Sequence, residues 1–112
     1  MDLESKLLGQ LRPANNTAAS LYAPAGNKKG FIEVIVVCNT TANPETFRVF
    51  YDSDGTTYSQ ATALYYDFPI DPNETFIISF EGLSIPITSA GNLAVRTSTG
   101  DALNFTAFGK EK

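Results

Sequence analysis

Residues 31–39 read Phe31-Ile32-Glu33-Val34-Ile35-Val36-Val37-Cys38-Asn39, and five of the nine are β-branched. Such side chains lose rotamer freedom in a helix and pack well on a pleated surface, so the stretch predicts a strand. One face, Ile32, Val34, Val36 and Cys38, is wholly apolar. The other, Phe31, Glu33, Ile35, Val37 and Asn39, is mostly apolar, which predicts cover on both sides. We assign the first face to the core. Phe31, Ile35 and Val37 on the second become candidate contact residues.

Outward from this strand the period stays at two. Ser20–Ala23 precedes it, across the turn Pro24-Ala25-Gly26-Asn27. Beyond Thr40–Pro44, Phe47, Val49 and Tyr51 alternate with more polar residues. Asp54-Gly55 carries the chemistry of a tight hairpin turn, and Thr56–Thr62 reads as loop. Leu64, Tyr66, Phe68 and Ile70 follow, with Pro69 marking an edge. Further strands are centred on Phe76, Ile78 and Phe80, on Leu83, Ile85 and Ile87, on Leu93 and Val95, and on Leu103 and Phe105. The predicted inward set is Ile32, Val34, Val36, Phe47, Val49, Leu64, Tyr66, Phe68, Phe76, Ile78, Phe80, Leu83, Ile85, Leu93, Val95, Leu103 and Phe105. Each contributes about 1.5–3 kcal/mol when buried.

About eight short antiparallel strands at regular spacing predict an all-β protein with a single sandwich over residues 18–112. Jelly-roll-like topology suits eight strands. An immunoglobulin-like sandwich is the alternative, but there is no Cys pair and no Trp to support it.

The N-terminus has a different rhythm. Leu3, Leu7, Leu8 and Leu11 fall at i, i+4, i+5 and i+8, the stripe of a helix that Pro13 would stop. Residues 1–17 therefore read as a short helical or extended arm and linker. A lone helix of this length is marginal in water, so the four leucines are candidate interface residues that need something to lie on.

Composition excludes several functions. The chain of 112 residues has no His, which removes the usual general base and metal ligand, and its single Cys leaves no partner for a disulfide. A net charge of -4 argues against nucleic-acid binding, and no apolar run has the length of a membrane span. The opening residues do not resemble a secretory signal, so synthesis in a reducing cytoplasm is expected.

Fragments of chemistry dissolve on inspection. Asp52-Ser53-Asp54-Gly55 begins like a calcium loop, but the required Gly and Glu positions hold Thr57 and Ala63. Asp67, Asp71 and Glu74 read as solvated turn acids. Cys38 reads as a small buried hydrophobe. Asn15, Asn39, Asn73 and Asn104 each open an Asn-x-Ser/Thr tripeptide, read as turn and strand-end composition. Tyr58 in the loop and Tyr65 on the outward face of its strand are candidate contact residues. No catalytic residue, metal ligand or cofactor is assigned, and an enzyme is not expected.

Several stretches resemble small structural proteins of tailed bacteriophages, as found in phages of marine bacteria and cyanobacteria. They are Leu8-Gly9-Gln10, Leu21-Tyr22-Ala23-Pro24-Ala25-Gly26, Val36-Val37-Cys38-Asn39-Thr40, Tyr65-Tyr66-Asp67-Phe68-Pro69-Ile70, Thr75-Phe76 and Asn104-Phe105-Thr106-Ala107-Phe108-Gly109. The resemblance implies a virion protein made in the host cytoplasm. It would be a capsid decoration (cement) protein bound to the major capsid protein, working as a homo-oligomer such as a trimer. The alternative is a tail or receptor-binding module that touches host glycans.

Overall fold

The computed structural model describes residues 5–54, 57–80, 85–87 and 91–112. Among them are nine strands: β1 (Lys6–Leu11), β2 (Ala19–Tyr22), β3 (Gly30–Asn39), β4 (Glu45–Asp52), β5 (Ala63–Ile70), β6 (Thr75–Ser79), β7 (Ile85–Ile87), β8 (Asn92–Thr97) and β9 (Leu103–Glu111). A single 3-10 turn, Gln60–Thr62, lies between β4 and β5.

The strand pairing is nested. β4 pairs with β5, β3 with β6 and then β7, β2 with β8, and β1 with β9, all antiparallel. The chain is thus one long two-stranded ribbon folded back between β4 and β5. Two further antiparallel pairings, β3 with β9 and β4 with β8, roll that ribbon up. The result is one sheet ordered β1-β9-β3-β6, with β7 extending the β6 edge along β3, and a second ordered β2-β8-β4-β5. A rolled ribbon of this kind is the double-sheet jelly roll, which settles the choice against the immunoglobulin-like order.

The core lies between the sheets. The first contributes Ile32, Ile35, Val37, Ile78, Leu103, Phe105 and Ala107, and the second Leu21, Phe47, Val49, Ile70, Leu93 and Val95, all buried. At the open side between β5 and β6 an aromatic cluster fills the gap. Phe47 lies 5.9 Å from Tyr65, 5.5 Å from Phe68 and 6.1 Å from both Phe76 and Phe105.

Of the helical and extended readings of the N-terminus, the helical one is corrected: Lys6–Leu11 is an extended strand paired with β9. The boundary at residue 17 accordingly does not separate an arm from the sandwich, because β1 is an outer strand of the first sheet. Pairing satisfies backbone groups that a short isolated helix could not hold, and Leu8 and Leu11 pack on the core. Gly9 permits this, since a side chain there would run into the carbonyl of Leu21 on β2. Leu3 lies outside the described residues.

The inward set also changes. β3 carries a bulge between Ile32 and Val34. Side chains alternate with a period of two, so one extra residue exchanges the faces beyond it. Ile32 stays inward, but Ile35 and Val37 follow it into the core, while Val34, Val36 and Cys38 turn outward and are half-buried. β5 behaves alike. Val49 faces Tyr65 and Phe47 faces Phe68, so two residues, Tyr66 and Asp67, stand opposite Arg48. Tyr65 and Phe68 both pack on the core, whereas Leu64 and Tyr66 are exposed. Asp67 takes a positive φ of 52° here, a conformation that Asp tolerates better than most residues.

The expected turn at 71–74 is present, with Glu74 N donating to Asp71 O at 3.2 Å and Asn73 at φ 60°. Gly55 and the Leu83 position lie outside the described residues.

Candidate functional site

Two surfaces stand out, one on the outer face of each sheet. On the first sheet, cross-strand register aligns Leu7, Phe108 and Val34 in one row, and Thr106, Val36 and Ile77 in the next. Leu7 is 53% exposed, Phe108 39% and Ile77 61%, so a continuous apolar strip crosses four strands. Bulges produce it. Leu8 is the extra residue on one side of β9 and Glu33 on the other, both beside Phe108.

On this face Lys110 Nζ meets Glu33 Oε2 at 3.6 Å. On the other side of β9, at the end of the sandwich, Lys6 Nζ meets Glu111 Oε1 at 3.2 Å. Tyr22 donates its hydroxyl to Glu111 Oε2 at 2.6 Å. That hydrogen bond, followed by Lys6, holds the Glu111 carboxyl below the usual carboxylate range, while burial pushes the Tyr22 hydroxyl well above its usual value.

On the second sheet, Arg48 of β4 and Arg96 of β8 are direct cross-strand partners. Two like charges so placed repel each other. The β5 bulge answers with Asp67, which accepts from Arg48 Nε at 2.6 Å and Arg48 Nη2 at 3.0 Å. The same guanidinium lies over the Tyr66 ring, 3.9 Å from its centroid. Hydrogen bonding to Arg48, and then the charges of Arg48 and Arg96, keep the Asp67 carboxyl below its usual range. Arg96 donates through Nε to Asn16 O at 2.6 Å. Arg48, Asp67 and Arg96 line a groove of about 350 Å³ with Thr46, Phe47, Thr97 and Ser98.

The residues expected to make contacts are scattered by the fold. Of the N-terminal leucines, Leu7 is exposed on the apolar strip, whereas Leu8 and Leu11 pack against the core. Ile35 and Val37 are fully buried and belong to the core, a correction caused by the β3 bulge. Tyr65 is corrected likewise: it stands in the aromatic cluster, 5.3 Å from Phe68. Phe31 is half-buried, with Lys112 Nζ 5.6 Å from its ring centre. Tyr58 packs beside Phe50 at 6.0 Å and its hydroxyl accepts from Asn92 Nδ2 at 2.7 Å. Sequence reasoning missed Phe108, Ile77, Arg48, Asp67 and Arg96. Arg48 and Arg96 each sit between inward residues of their strands, so alternation placed them outward, but only the register makes them neighbours.

No protein-family model matches the chain, and no curated protein matches it. Its fold is similar to that of a chain in the structure of infectious bursal disease virus, Gx strain, with a TM-score of 0.53 at 10% identity, over 98% of this chain and 30% of that one. A chain in the structure of the Gt strain gives a TM-score of 0.43 at 17% identity, over 99% and 30% respectively. This chain thus spans under a third of the length of either viral chain. What it shares with the Gx-strain chain is the fold, over nearly its whole length.

Proposed function

We propose that this chain is a structural protein of a virus particle. In its finer form the reading is a shell-decorating (cement) protein of a tailed bacteriophage, made in the host cytoplasm and working by binding rather than catalysis. The observation that carries it is the jelly roll spanning the described chain, similar in fold to a chain of a solved virus structure. Such a role needs contact surface, and the Leu7–Phe108–Ile77 strip supplies one. We assign that strip to contact between copies of this chain. Each copy carries a net charge of -4, so copies repel over most of their surface. At this face Lys110 is already paired with Glu33, which reduces the charge that two meeting copies would have to desolvate.

A tail-associated module that touches host glycans is the second reading, favoured by the groove around Arg48 and Arg96. Copy number separates the two. Densitometry of purified particles should give hundreds of copies for a decoration protein and few for a tail module; absence from the particle overturns both. Sedimentation tests the contact face. The wild type should sediment as an oligomer, and Ile77→Asp with Phe108→Ser should give a monomer that melts like the wild type. A monomeric wild type would refute the assignment of the strip.

A further inference from the structure

The groove on the second sheet is built unlike a plain structural ion pair. Arg48 spends Nε and Nη2 on Asp67, and Arg96 spends Nε on Asn16 O. Among the described residues, Arg48 Nη1, both η nitrogens of Arg96 and the Thr46 hydroxyl have no acceptor. The three charged side chains that line the groove sum to +1 on a chain of net charge -4; behind the lining the buried Glu45 carboxylate accepts from Ser98 Oγ at 2.6 Å, so the surplus is confined to the groove surface. A surplus of donors and one surplus positive charge, gathered in a depression, call for a ligand that brings acceptors and one negative charge.

Asp67 narrows the class further. Its side chain is 50% exposed beside the arginines, and each of its oxygens retains a lone pair after binding Arg48. A simple oxyanion would be repelled by it. A polyol would not, because a hydroxyl can donate to the carboxylate. The lining therefore combines a cation for an anion with a carboxylate and hydroxyls for hydroxyl groups. A groove of about 350 Å³ also suits one ring of a saccharide.

We propose that this groove binds an acidic sugar, with the sugar carboxylate on the η nitrogens of Arg96 and ring hydroxyls on Asp67 and Thr46. The site lies on the opposite sheet from the apolar strip and does not depend on where in a particle the chain sits. Densitometry tests that location, and ligand binding tests this site.

The experiment is titration of the full chain, followed by backbone amide shifts, with three probes: a galacturonate oligosaccharide, the matched neutral galactose oligosaccharide, and inorganic sulfate. The expected result is saturable binding of the acidic oligosaccharide, with shifts centred on Thr46, Arg48, Asp67 and Arg96. The neutral sugar and sulfate should each bind at least about tenfold more weakly. Arg96→Gln should abolish the preference for the acidic sugar. Because Arg96 also holds Asn16, Thr46→Val provides a second variant that leaves the hydrogen bonds of Arg48 to Asp67, of Arg96 to Asn16 and of Thr46 N to Ser98 Oγ in place, and it should weaken binding severalfold at unchanged melting temperature. Equal binding of neutral and acidic sugars, sulfate binding as tight as the sugar, or no saturation by any probe up to about 10 mM overturns the proposal.

Discussion

Replacing Asn39 should destabilise this protein more than any exposed-turn substitution, and the structure supplies the size of the effect. Asn39 ends β3 and is 1% exposed. Its Nδ2 donates to Asn43 O at 2.8 Å and Asp71 O at 3.1 Å, with Ile70 O at 3.4 Å. Its Oδ1 accepts from Thr41 N at 3.0 Å and Thr41 Oγ1 at 2.8 Å. One amide thus ties the β3–β4 turn to the β5–β6 turn. Asn39→Ala removes four bonds of 3.1 Å or less, each worth about 1 kcal/mol net. With some water reaching the exposed turns, the loss should be about 3–4 kcal/mol. A chain of this length has a melting entropy of roughly 0.24 kcal/mol/K, so the melting temperature should fall by about 12–17 °C in calorimetry. Asn39→Asp adds a pH signature. Its carboxylate would face three carbonyl oxygens in a buried site, which raises its folded pKa above the unfolded value of about 3.9. The folded state then binds more protons, so the deficit against wild type should be smallest near pH 4 and grow as pH rises toward the folded pKa. A drop below about 4 °C for Asn39→Ala, or a deficit for Asn39→Asp that shrinks as pH rises, would show that water replaces the amide and that the two turns are not joined through it.

Three further outcomes follow from the same packing. Deleting residues 1–12 removes β1, unpairs the β9 edge and strips Leu8 and Leu11 from the core, so the truncated chain should lose its cooperative melting transition; a wild-type transition would restore the independent arm. Tyr22→Phe should cost about 1.5–3 kcal/mol at pH 7 by chemical denaturation, as expected for a hydrogen bond to a charged acceptor. The Glu111 carboxyl is depressed in the folded state, so its contribution is present above its unfolded pKa of about 4.3 and is lost as pH falls; Tyr22→Phe should therefore flatten the acid limb of the stability profile, and an unchanged limb would sink the argument. Cys38 faces outward between Thr75 and Asn104 on neighbouring strands, so a thiol reagent should label it without denaturant and Cys38→Ser should cost under about 1 kcal/mol; protection until global unfolding would mean the β3 bulge is misplaced.

Strand existence was legible because alternation and turn chemistry agree over most of the chain, and the eight expected strands correspond to β2 through β9. The β1 strand was not, since Leu3, Leu7, Leu8 and Leu11 fit a helical stripe at least as well as a strand. Gly9 was the available signal, as it is poor in a helix and useful where one strand passes close over another. Faces were legible only up to each bulge. In β3 both faces are apolar, so alternation could not choose between Val34 and Ile35. The Asn39-Thr40-Thr41 tripeptide was assigned to strand-end composition, and the structure gives its physical content: the Thr41 backbone and hydroxyl are the groups that satisfy Oδ1 of Asn39.

The bulge in β5 links the core to the groove. Without an extra residue, strict alternation would let Tyr65 face inward only by sending Phe68 outward. With it, both rings join Phe47 and Phe76, Phe68 lying 4.8 Å from Phe76, and close the open side of the sandwich between β5 and β6. The same insertion leaves Tyr66 and Asp67 side by side on the outer face, opposite one residue of β4. That residue is Arg48, and the pair takes hold of it, Tyr66 by its ring face and Asp67 by both carboxylate oxygens. Arg48 could not otherwise stand comfortably across from Arg96. Core closure and the charged groove are therefore two faces of one local insertion. A chain lacking it would have to give up either the aromatic seal or the bidentate clamp that makes two adjacent arginines tolerable.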